Sequence, residues 1–347
     1  MTGGTGADAA AKCFHSVVEL TQRVHNRFAR FRIYGQGFTF AIGNNDLCHK
    51  VLEIKLVGRR HHTTKPSVLT VFVYFALGRH YNPGSTRNGD WGSKVDLGLR
   101  DKRAIITGGT KGIGRHILKL LISEGCTVAT CSRSIEDVEN TIEACSTRKA
   151  EVIGDVCDIK DKDEYADWID AMVTKMEGVD IFIANVSAGG GMDSERNWWK
   201  NFETDVLGTV RGCEAVVPHM KEGGGGAITV MGTTAAIETF GVPQAFNAMK
   251  ASLITYSKQL SQFVGRDNIR VNVVSPGPIE FPGGSWDMLK DTMPKWYNKV
   301  LRDHPTQELG SPDDVAKCVV FVSSPAARWV NGTNLIVDGG FTKRVQF

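Results

Sequence analysis

The sequence predicts an α/β fold over residues 95–347, in which a mainly parallel sheet is covered by helices on both faces. A short apolar run at residues 104–106 ends in a glycine-rich turn, and apolar residues at helical spacing follow it up to Gly125. Residues 127–130, Thr-Val-Ala-Thr, are then predicted to form a second strand. Strand, turn, helix and strand within about 30 residues are the pattern of a parallel βαβ unit, which is typical of a doubly wound sheet.

The glycine-rich turn has the composition of a phosphate-binding loop. Glycines allow the backbone to approach a pyrophosphate closely, and the N-terminus of the following helix supplies free N–H groups and a positive dipole. The strand before the turn and the helix after it make this interpretation specific, because an isolated glycine motif is weak evidence. The candidate cofactor-binding residues in the turn are Gly108, Thr110, Lys111, Gly112, Ile113 and Gly114.

Five separated motifs together resemble the short-chain dehydrogenase/reductase family, and in particular its bacterial 3-oxoacyl-ACP reductase-like members. Three residues separate Gly108 from Gly112, as in that family. The other motifs are Asp155-Val156, residues 185–189, residues 270–277 and residues 337–340. The resemblance covers roughly residues 97–347. It implies a Rossmann-type sheet of seven strands with the cofactor at the C-terminal strand edge, in a homodimer or homotetramer.

The resemblance also assigns roles to residues outside the glycine turn. Asp155 and Val156, after a third strand, correspond to the pair that contacts the adenine. Asn185 corresponds to the residue that supports the sheet and the cofactor, and Pro276-Gly277 to the turn beside the nicotinamide. We therefore expect these residues to meet at one edge of the sheet.

The charge at the end of the second strand indicates NADP(H) as the cofactor. Enzymes that prefer NAD usually place an acid there to hold the ribose 2′-OH. Here Ser132 and Arg133 occupy that position, and no carboxylate follows before Glu136. Arg133 and Lys111 are expected to face a 2′-phosphate, which the Arg133 guanidinium can bind in fork geometry. The alternative, in which both are solvated surface charges, stays open.

The catalytic positions depart from the family's pattern. The family uses Tyr-x-x-x-Lys on a helix, a Ser upstream of it and an Asn one helix earlier. The corresponding residues here are Phe246, Lys250, Thr233 and Asp205, so that only the lysine is unchanged. None of the six tyrosines has a lysine four residues later. Since phenylalanine cannot transfer a proton, the usual general acid is missing.

Two groups are candidates to replace the missing acid. Burial of Asp205 among apolar groups would favour its protonated form. The favoured alternative is an ion pair between Asp205 and Lys250, which would disable Asp205 as an acid. Tyr297 reaches the site if residues 283–300 fold over it as a lid.

The region after Pro276-Gly277 bears on the substrate. Residues 282–297 are rich in apolar and aromatic side chains, and in the family this region covers the substrate. A hydrophobic or cyclic small-molecule substrate is therefore expected; a helix pair that packs on the core without a ligand contact is the alternative. Glu280 would repel a pyrophosphate and is expected to point elsewhere. Trp198 and Trp199 are expected to pack a helix against the core.

Residues 1–94 differ in composition from the rest of the chain. They contain 13 basic and 5 acidic residues, a net charge of +8, whereas the whole chain carries +3. Three interpretations of this basic extension stay open: a transit peptide, an accessory module that contacts nucleic acid or a membrane surface, and a start site placed too far upstream. The last is favoured. Since no methionine lies between Met1 and Met172, it would need a non-AUG start, for example at Val95.

Composition excludes several function classes for the main domain. The eight cysteines form no C-x-x-C pair and no metal-like cluster, so free thiols in a reducing compartment, and a cytoplasmic protein, are expected. No apolar run reaches the roughly 20 residues of a membrane-spanning helix. We expect no metal, no nucleic acid and no membrane as partners of residues 95–347.

Two function classes fit these observations. The favoured one is an NADP(H)-dependent oxidoreductase that acts on a carbonyl or alcohol substrate with altered catalytic machinery. The alternative is a redox-inactive or non-redox NADP(H)-binding protein, such as a sensor, a scaffold or a pseudoenzyme. Intact cofactor motifs support both classes, and Phe246, Thr233 and Asp205 together are the reason for the second.

Overall fold

The computed structural model describes residues 95–146, 150–190, 194–239 and 241–345, together with the backbone of four strands nearer the N-terminus. The chain divides into two compact units between Trp91 and Gly92. In the first unit, β1 (Tyr34–Gly35) pairs with β2 (Phe38–Thr39), and β3 (Val51–Gly58) pairs antiparallel with β4 (Ser67–Tyr74).

The second unit is built on one seven-stranded sheet. Its strands are β5 (Arg103–Thr107), β6 (Thr127–Ser132), β7 (Val152–Val156), β8 (Ile181–Ala184), β9 (Gly226–Met231), β10 (Ile269–Pro276) and β11 (Asn334–Val337). The strand order is β7-β6-β5-β8-β9-β10-β11, and every neighbouring pair is parallel. The predicted seven-stranded, doubly wound sheet is confirmed.

Helices cover both faces of this sheet. They are α1 (Gly112–Ser123), α2 (Ile135–Cys145), α3 (Lys162–Met176), α4 (Glu195–Asn201), α5 (Gly208–Glu222), α6 (Ala245–Phe263), α7 (Ser285–Thr292), α8 (Pro294–Asp303) and α9 (Pro312–Ser323). A π-helical turn, Phe202–Leu207, joins α4 to α5.

The apolar runs of the strands supply two separate cores. Ile105 in β5 packs with Trp168 of α3 in one core, whereas its neighbours Ala104 and Ile106 pack with Leu118 of α1 in the other. Successive residues of a strand point to opposite faces, so a strand buried on both faces needs a continuous apolar run. This explains why the central strands show no alternation of apolar and polar residues.

The order of the strands fixes the position of the site. The chain runs outward from β5 through β6 to β7 and then returns to β8 on the other side of β5. In such sheets, ligands bind beyond the carboxyl ends of the strands at the point where this reversal occurs. Gly108 follows β5 and Asn185 follows β8, so both lie at that point.

Two predicted strand ends are wrong by one or two residues. Asp155 and Val156 are the last residues of β7 rather than the residues after it, because parallel pairing with β6 continues to Ser132 opposite Val156. Pro276 likewise ends β10, opposite Val337.

Candidate active site

The glycine turn brings the backbone of β5 and α1 into close contact. Gly108 and Gly112 have φ angles of 67° and 54°, a region that favours glycine. A Cβ at Gly114 would collide with the carbonyl oxygen of Gly108 and with the side chain of Asn185. The first N–H groups of α1 have no partner within the helix and therefore remain available to an anion.

Asn185 connects the end of β8 to the glycine turn. Its side-chain amide donates to the carbonyl oxygens of Thr107 and Gly108, at 3.1 Å in both cases. Its backbone N–H donates to the Thr107 hydroxyl at 3.1 Å. Asn185 therefore fastens the glycine turn, which follows β5, to the end of the neighbouring strand β8.

Three polar residues that the sequence analysis did not name as site residues support the glycine turn. Thr130 accepts the Gly109 N–H at 3.0 Å, Thr107 accepts the N–H of Asn185, and Arg115 donates to the Thr110 carbonyl at 3.1 Å. Both threonines are buried. The two threonines could have been recognised in the sequence as polar residues inside buried strands. A buried hydroxyl requires a hydrogen-bond partner, which indicates a specific contact.

The adenosine end of the predicted cofactor site is solvent-exposed. Arg133, Asp155 and Val156 are exposed, whereas Ser132 is half-buried. Lys111 is 81% exposed, and its Nζ lies 3.5 Å from Asp137 Oδ2. Lys111 thus already has a carboxylate partner.

The loop after β10 reaches back to the glycine turn. The Gly277 N–H donates to the Val337 carbonyl at 2.9 Å, and a Cβ at Gly277 would lie 2.5 Å from Asp338 Cβ. Further on, the ring of Phe281 lies 2.9 Å from the position that a Cβ on Gly112 would occupy. Phe281, which the sequence motifs did not single out, therefore packs on the turn and requires glycine at position 112.

Asp205 and Lys250 form a buried pair at the centre of the predicted catalytic site. Their side chains are 0% and 2% exposed, and Oδ1 lies 3.1 Å from Nζ without hydrogen-bond alignment. Lys250 Nζ donates to the Met231 carbonyl at 2.8 Å, and Asp205 Oδ2 accepts the Ala188 N–H at 3.1 Å. The ion-pair alternative is thus the arrangement that the structure contains.

Asp205 lies in the π-helical turn Phe202–Leu207. Such turns are rare, and they often occur at functional sites because the wider turn redirects a side chain. Here the turn places a carboxylate, rather than the family's asparagine, against the lysine. The pair joins this turn to α6, β9 and the loop after β8.

Phe246 and Thr233 lie on the segments that flank this pair. Phe246 is half-buried in the first turn of α6, four residues before Lys250 and therefore on the same face of the helix. Thr233 is half-buried, and its hydroxyl accepts the Ala235 N–H at 3.3 Å. The hydroxyl keeps its own proton to donate.

Glu280 is held by α7 and α8 and not by the glycine turn. It accepts from Lys290 Nζ at 2.7 Å and from the Tyr297 hydroxyl at 2.5 Å. The Lys290 hydrogen bond, with that of Tyr297, lowers the pKa of Glu280. The Glu280 hydrogen bond, with burial, raises the pKa of Tyr297. Tyr297 is therefore committed to Glu280 and weakened as an acid, which argues against it as the replacement proton donor.

Aromatic residues join α7 to α8. Trp286 and Trp296 stack with ring centroids 5.2 Å apart and planes 10° apart. Residues 285–303 thus form a helix pair fastened by this stack and by Glu280. We name this pair the lid helices.

The expectation that Trp199 packs on the core is wrong. Its side chain is 60% exposed, and Trp198 is 38% exposed. Helix α4 has seven residues, of which Asn201 is the buried one. Trp199 instead contacts Phe202 edge-to-face, with ring centroids 6.2 Å apart.

The cysteines of the described residues are free thiols. Cys126, Cys131, Cys145, Cys157 and Cys213 are buried, and Cys318 is half-buried. Within the described ranges, no group of three or more His, Cys, Asp or Glu side chains is arranged to hold a metal ion. Among the same residues, no helix is long and apolar enough to span a membrane.

Comparison with known proteins identifies the class of this fold and site. Residues 108–342 match the family model described as enoyl-(acyl carrier protein) reductase. Isoepoxydon dehydrogenase of Penicillium expansum is 31% identical over 259 residues, which cover 73% of this chain and 99% of that protein. The 7α-hydroxysteroid dehydrogenase of Escherichia coli K12 is 29% identical over 71% of this chain and 96% of that protein.

A solved structure shares the fold at similar coverage. L-sorbose reductase from Gluconobacter frateurii, complexed with NADPH and L-sorbose, superposes with a TM-score of 0.67 at 26% identity. The match covers 72% of this chain and 100% of that one. The chain belongs to the short-chain dehydrogenase/reductase family, whose members are oxidoreductases that use NAD(P)(H).

Removal of either partner of the Asp205–Lys250 pair will destabilise the fold strongly. Asp205→Leu and Lys250→Met each leave an uncompensated buried charge, at a cost of about 3–5 kcal/mol. The double variant removes both charges and will cost much less than the sum. Equilibrium urea unfolding of the four proteins measures this coupling.

Lys221→Met is the control, because Lys221 pairs with Asp267 at 2.8 Å on the surface. Its effect will be below about 1 kcal/mol. If the losses in unfolding free energy of the two single variants simply added up in the double variant, the pair would have no structural role.

Loss of the Glu280 carboxylate will loosen the lid helices. In Glu280→Gln, backbone amide exchange over residues 285–303, followed by mass spectrometry, will accelerate about threefold to tenfold. The lowered pKa of Glu280 gives the sign of the pH dependence. The stabilising contribution is complete above the ordinary carboxyl pKa and is lost as pH falls through the lowered value.

Asp303→Asn is the matched control, since Asp303 pairs with Lys299 at 3.5 Å on the exposed side of α8. It will leave exchange in this segment unchanged. Equal acceleration in both variants would show that Glu280 has no special role in fastening the lid helices.

Proposed function

We propose that this protein is an NADP(H)-dependent oxidoreductase that interconverts a carbonyl group and an alcohol on a small molecule, with weakened proton transfer. The observation that carries the proposal is the buried Lys250 ammonium at the C-terminal edge of the sheet, 2.8 Å from the Met231 carbonyl and 3.1 Å from Asp205. An ammonium has three N–H donors. One of them donates to the Met231 carbonyl, and Asp205 Oδ1 lies nearby without hydrogen-bond alignment, so a donor remains available for the ribose.

The glycine turn fits a dinucleotide. Gly108 and Gly112 adopt positive φ angles, Gly114 leaves no room for a Cβ, and Asn185 holds the turn. This cradle presents the backbone N–H groups of a helix N-terminus, as a pyrophosphate requires. A bound nicotinamide would supply or accept the hydride.

The choice of NADP(H) rests on residues of this chain. One structural relative, L-sorbose reductase, is complexed with NADPH, whereas 7α-hydroxysteroid dehydrogenase is complexed with NADH. Relatives therefore do not decide the cofactor. Here Ser132 and Arg133 end β6 without a carboxylate, and Arg133 makes no ion pair with another described residue. A free guanidinium at this position favours a 2′-phosphate over a 2′-hydroxyl.

In the proposed complex, the reacting carbonyl lies between Thr233 and the nicotinamide. The Thr233 hydroxyl donates a hydrogen bond to the carbonyl oxygen as negative charge develops there. Phe246 occupies the family's tyrosine position and has no proton to give. In this proposal water delivers the proton, and catalysis relies on orientation of the reactants.

A hydrophobic or cyclic substrate fits the lid helices. Their Trp286–Trp296 stack places aromatic surface in the region that covers substrates in the family. Two relatives are named for isoepoxydon and for a 7α-hydroxysteroid as substrates. We expect a substrate of comparable ring character.

A redox-inactive NADP(H)-binding role is the second candidate. Phe246 removes the usual acid, and Asp205 is committed to Lys250 and to the Ala188 N–H. A protein with these features retains the cofactor cradle without an evident proton donor. It would serve as a sensor or scaffold.

Restoration of the tyrosine separates the two candidates. In Phe246→Tyr, turnover of NADPH with a carbonyl substrate will rise at least about tenfold, because a positioned acid–base group contributes about 10²–10⁴-fold. The measurement is NADPH oxidation by absorbance against a panel of cyclic ketones. The wild-type protein will show slow but measurable oxidation.

Phe263→Tyr is the control, since Phe263 ends the same helix and is 77% exposed. It will leave turnover unchanged. No gain in Phe246→Tyr on a substrate that the wild type turns over would contradict the proposed geometry. Absence of turnover in both proteins despite tight NADPH binding would favour the redox-inactive role.

A further inference from the structure

An open cavity of about 320 Å³ lies beside the cofactor edge of the sheet. Four of the residues that line it are cations: Arg133, Lys160, Arg196 and Lys200. Glu203 is the acidic residue of the lining, and Trp199 adds an indole ring. A concave surface with this charge balance selects an anionic ligand that carries an aromatic group.

The cavity lies where a dinucleotide presents its adenosine ribose. Arg133 directly follows β6, and Lys160 lies in the loop after β7. Helix α4 contributes Arg196, Trp199 and Lys200 to the lining, and Lys200 Nζ donates to the Ala188 carbonyl in the loop after β8 at 3.1 Å. The end of the second strand of such a unit contacts the ribose 2′ position. The 2′ substituent of a bound cofactor would therefore point into this cavity.

The four cations differ in whether they already have a polar partner within the protein. Lys160 Nζ lies 3.6 Å from Asp158, and Lys200 donates to a carbonyl. Arg133 and Arg196, by contrast, make no ion pair with any residue in the described ranges. Two guanidinium groups with uncommitted donors match a phosphate dianion, which accepts hydrogen bonds from both in fork geometry.

We propose that helix α4 forms the second wall of the 2′-phosphate pocket, with Arg196 opposite Arg133 as a determinant of cofactor choice. The proposal rests on the NADP(H) function proposed above. Lys111, the cation expected from the glycine turn, is paired with Asp137. The second cation for the 2′-phosphate therefore comes from a helix that carries no part of the dinucleotide motif.

Trp199 completes this pocket. Its indole is 60% exposed although it is a large apolar group, and it lines the cavity one helical turn after Arg196. A purine stacks on such a surface, and an aromatic wall beside two guanidinium groups suits an adenine that carries a phosphorylated ribose. Trp199 thus binds the base, whereas Arg196 discriminates the phosphate.

The test compares nucleotide fragments that differ in one phosphate. Isothermal titration calorimetry of the full chain measures adenosine 2′,5′-bisphosphate, adenosine 3′,5′-bisphosphate and adenosine 5′-monophosphate, with no turnover required. Arg196→Gln will weaken the 2′,5′-bisphosphate about threefold to tenfold and the monophosphate by less than about twofold. Trp199→Leu will weaken both by a similar factor, since both carry adenine.

Arg266→Gln is the matched control. Arg266 is an exposed arginine in the short turn before β10, at the opposite end of the strands, and its loss removes the same charge. It will leave all three affinities unchanged. Binding will also weaken with added salt, because phosphate contacts are electrostatic.

Three results would overturn the assignment. Equal affinities of Arg196→Gln and the wild type for the 2′,5′-bisphosphate would remove Arg196 from the pocket. If Arg196→Gln weakened the binding of the monophosphate as much as that of the 2′,5′-bisphosphate, Arg196 would not recognise the 2′-phosphate. Tighter binding of the 3′,5′-bisphosphate would assign the cavity to a different class of nucleotide. In each of these cases the proposed function would stand as long as the wild-type protein binds NADPH. If the wild-type protein does not bind NADPH, the proposed function itself is refuted.

Discussion

The buried pair of Asp205 and Lys250 is the interaction on which the site depends. Through Lys250 it holds α6 against the end of β9, and through Asp205 it holds the π-helical turn against the loop after β8. The desolvation of two charges is costly, and the mutual attraction of the pair, with the hydrogen bonds to Met231 and Ala188, offsets part of that cost. Four segments far apart in sequence thereby meet at the carboxyl ends of the strands.

This pair also explains how the chain keeps its architecture while the family's catalytic set has changed. An asparagine in the π-helical turn would leave the Lys250 ammonium without a counter-charge in a buried site. The carboxylate of Asp205 neutralises it, whereas Phe246, one helical turn before Lys250, has no hydroxyl. The first change balances the charge of the lysine, and the second removes the usual proton donor.

The sheet and the position of the glycine turn could be predicted from the sequence for a physical reason. A central parallel strand must be apolar on both faces, so β5 and β8 are visible as short apolar runs. Only glycine tolerates the contacts at Gly112 and Gly114. Such requirements act within a few residues along the chain and are therefore visible in a single sequence.

Features that depend on distant partners were not predictable in this way. The exposure of Trp199 is decided by how α4 packs, and an aromatic pair on a short helix looks the same in sequence whether it faces the core or solvent. The engagement of Lys111 with Asp137 and of Tyr297 with Glu280 likewise joins residues that are 26 and 17 positions apart. Long side chains at the surface select partners that no local pattern specifies.

The most direct test of the central claim is the affinity of the unmodified protein for NADPH and for NADH, measured side by side by fluorescence titration. The glycine cradle with Arg133 at the end of β6 predicts saturable binding of NADPH that is at least about tenfold tighter than binding of NADH, a difference of about 1.4 kcal/mol. Equal affinity for the two, or tighter binding of NADH, would contradict the assignment of Arg133 to a 2′-phosphate. Failure to bind either dinucleotide would contradict the cofactor site itself.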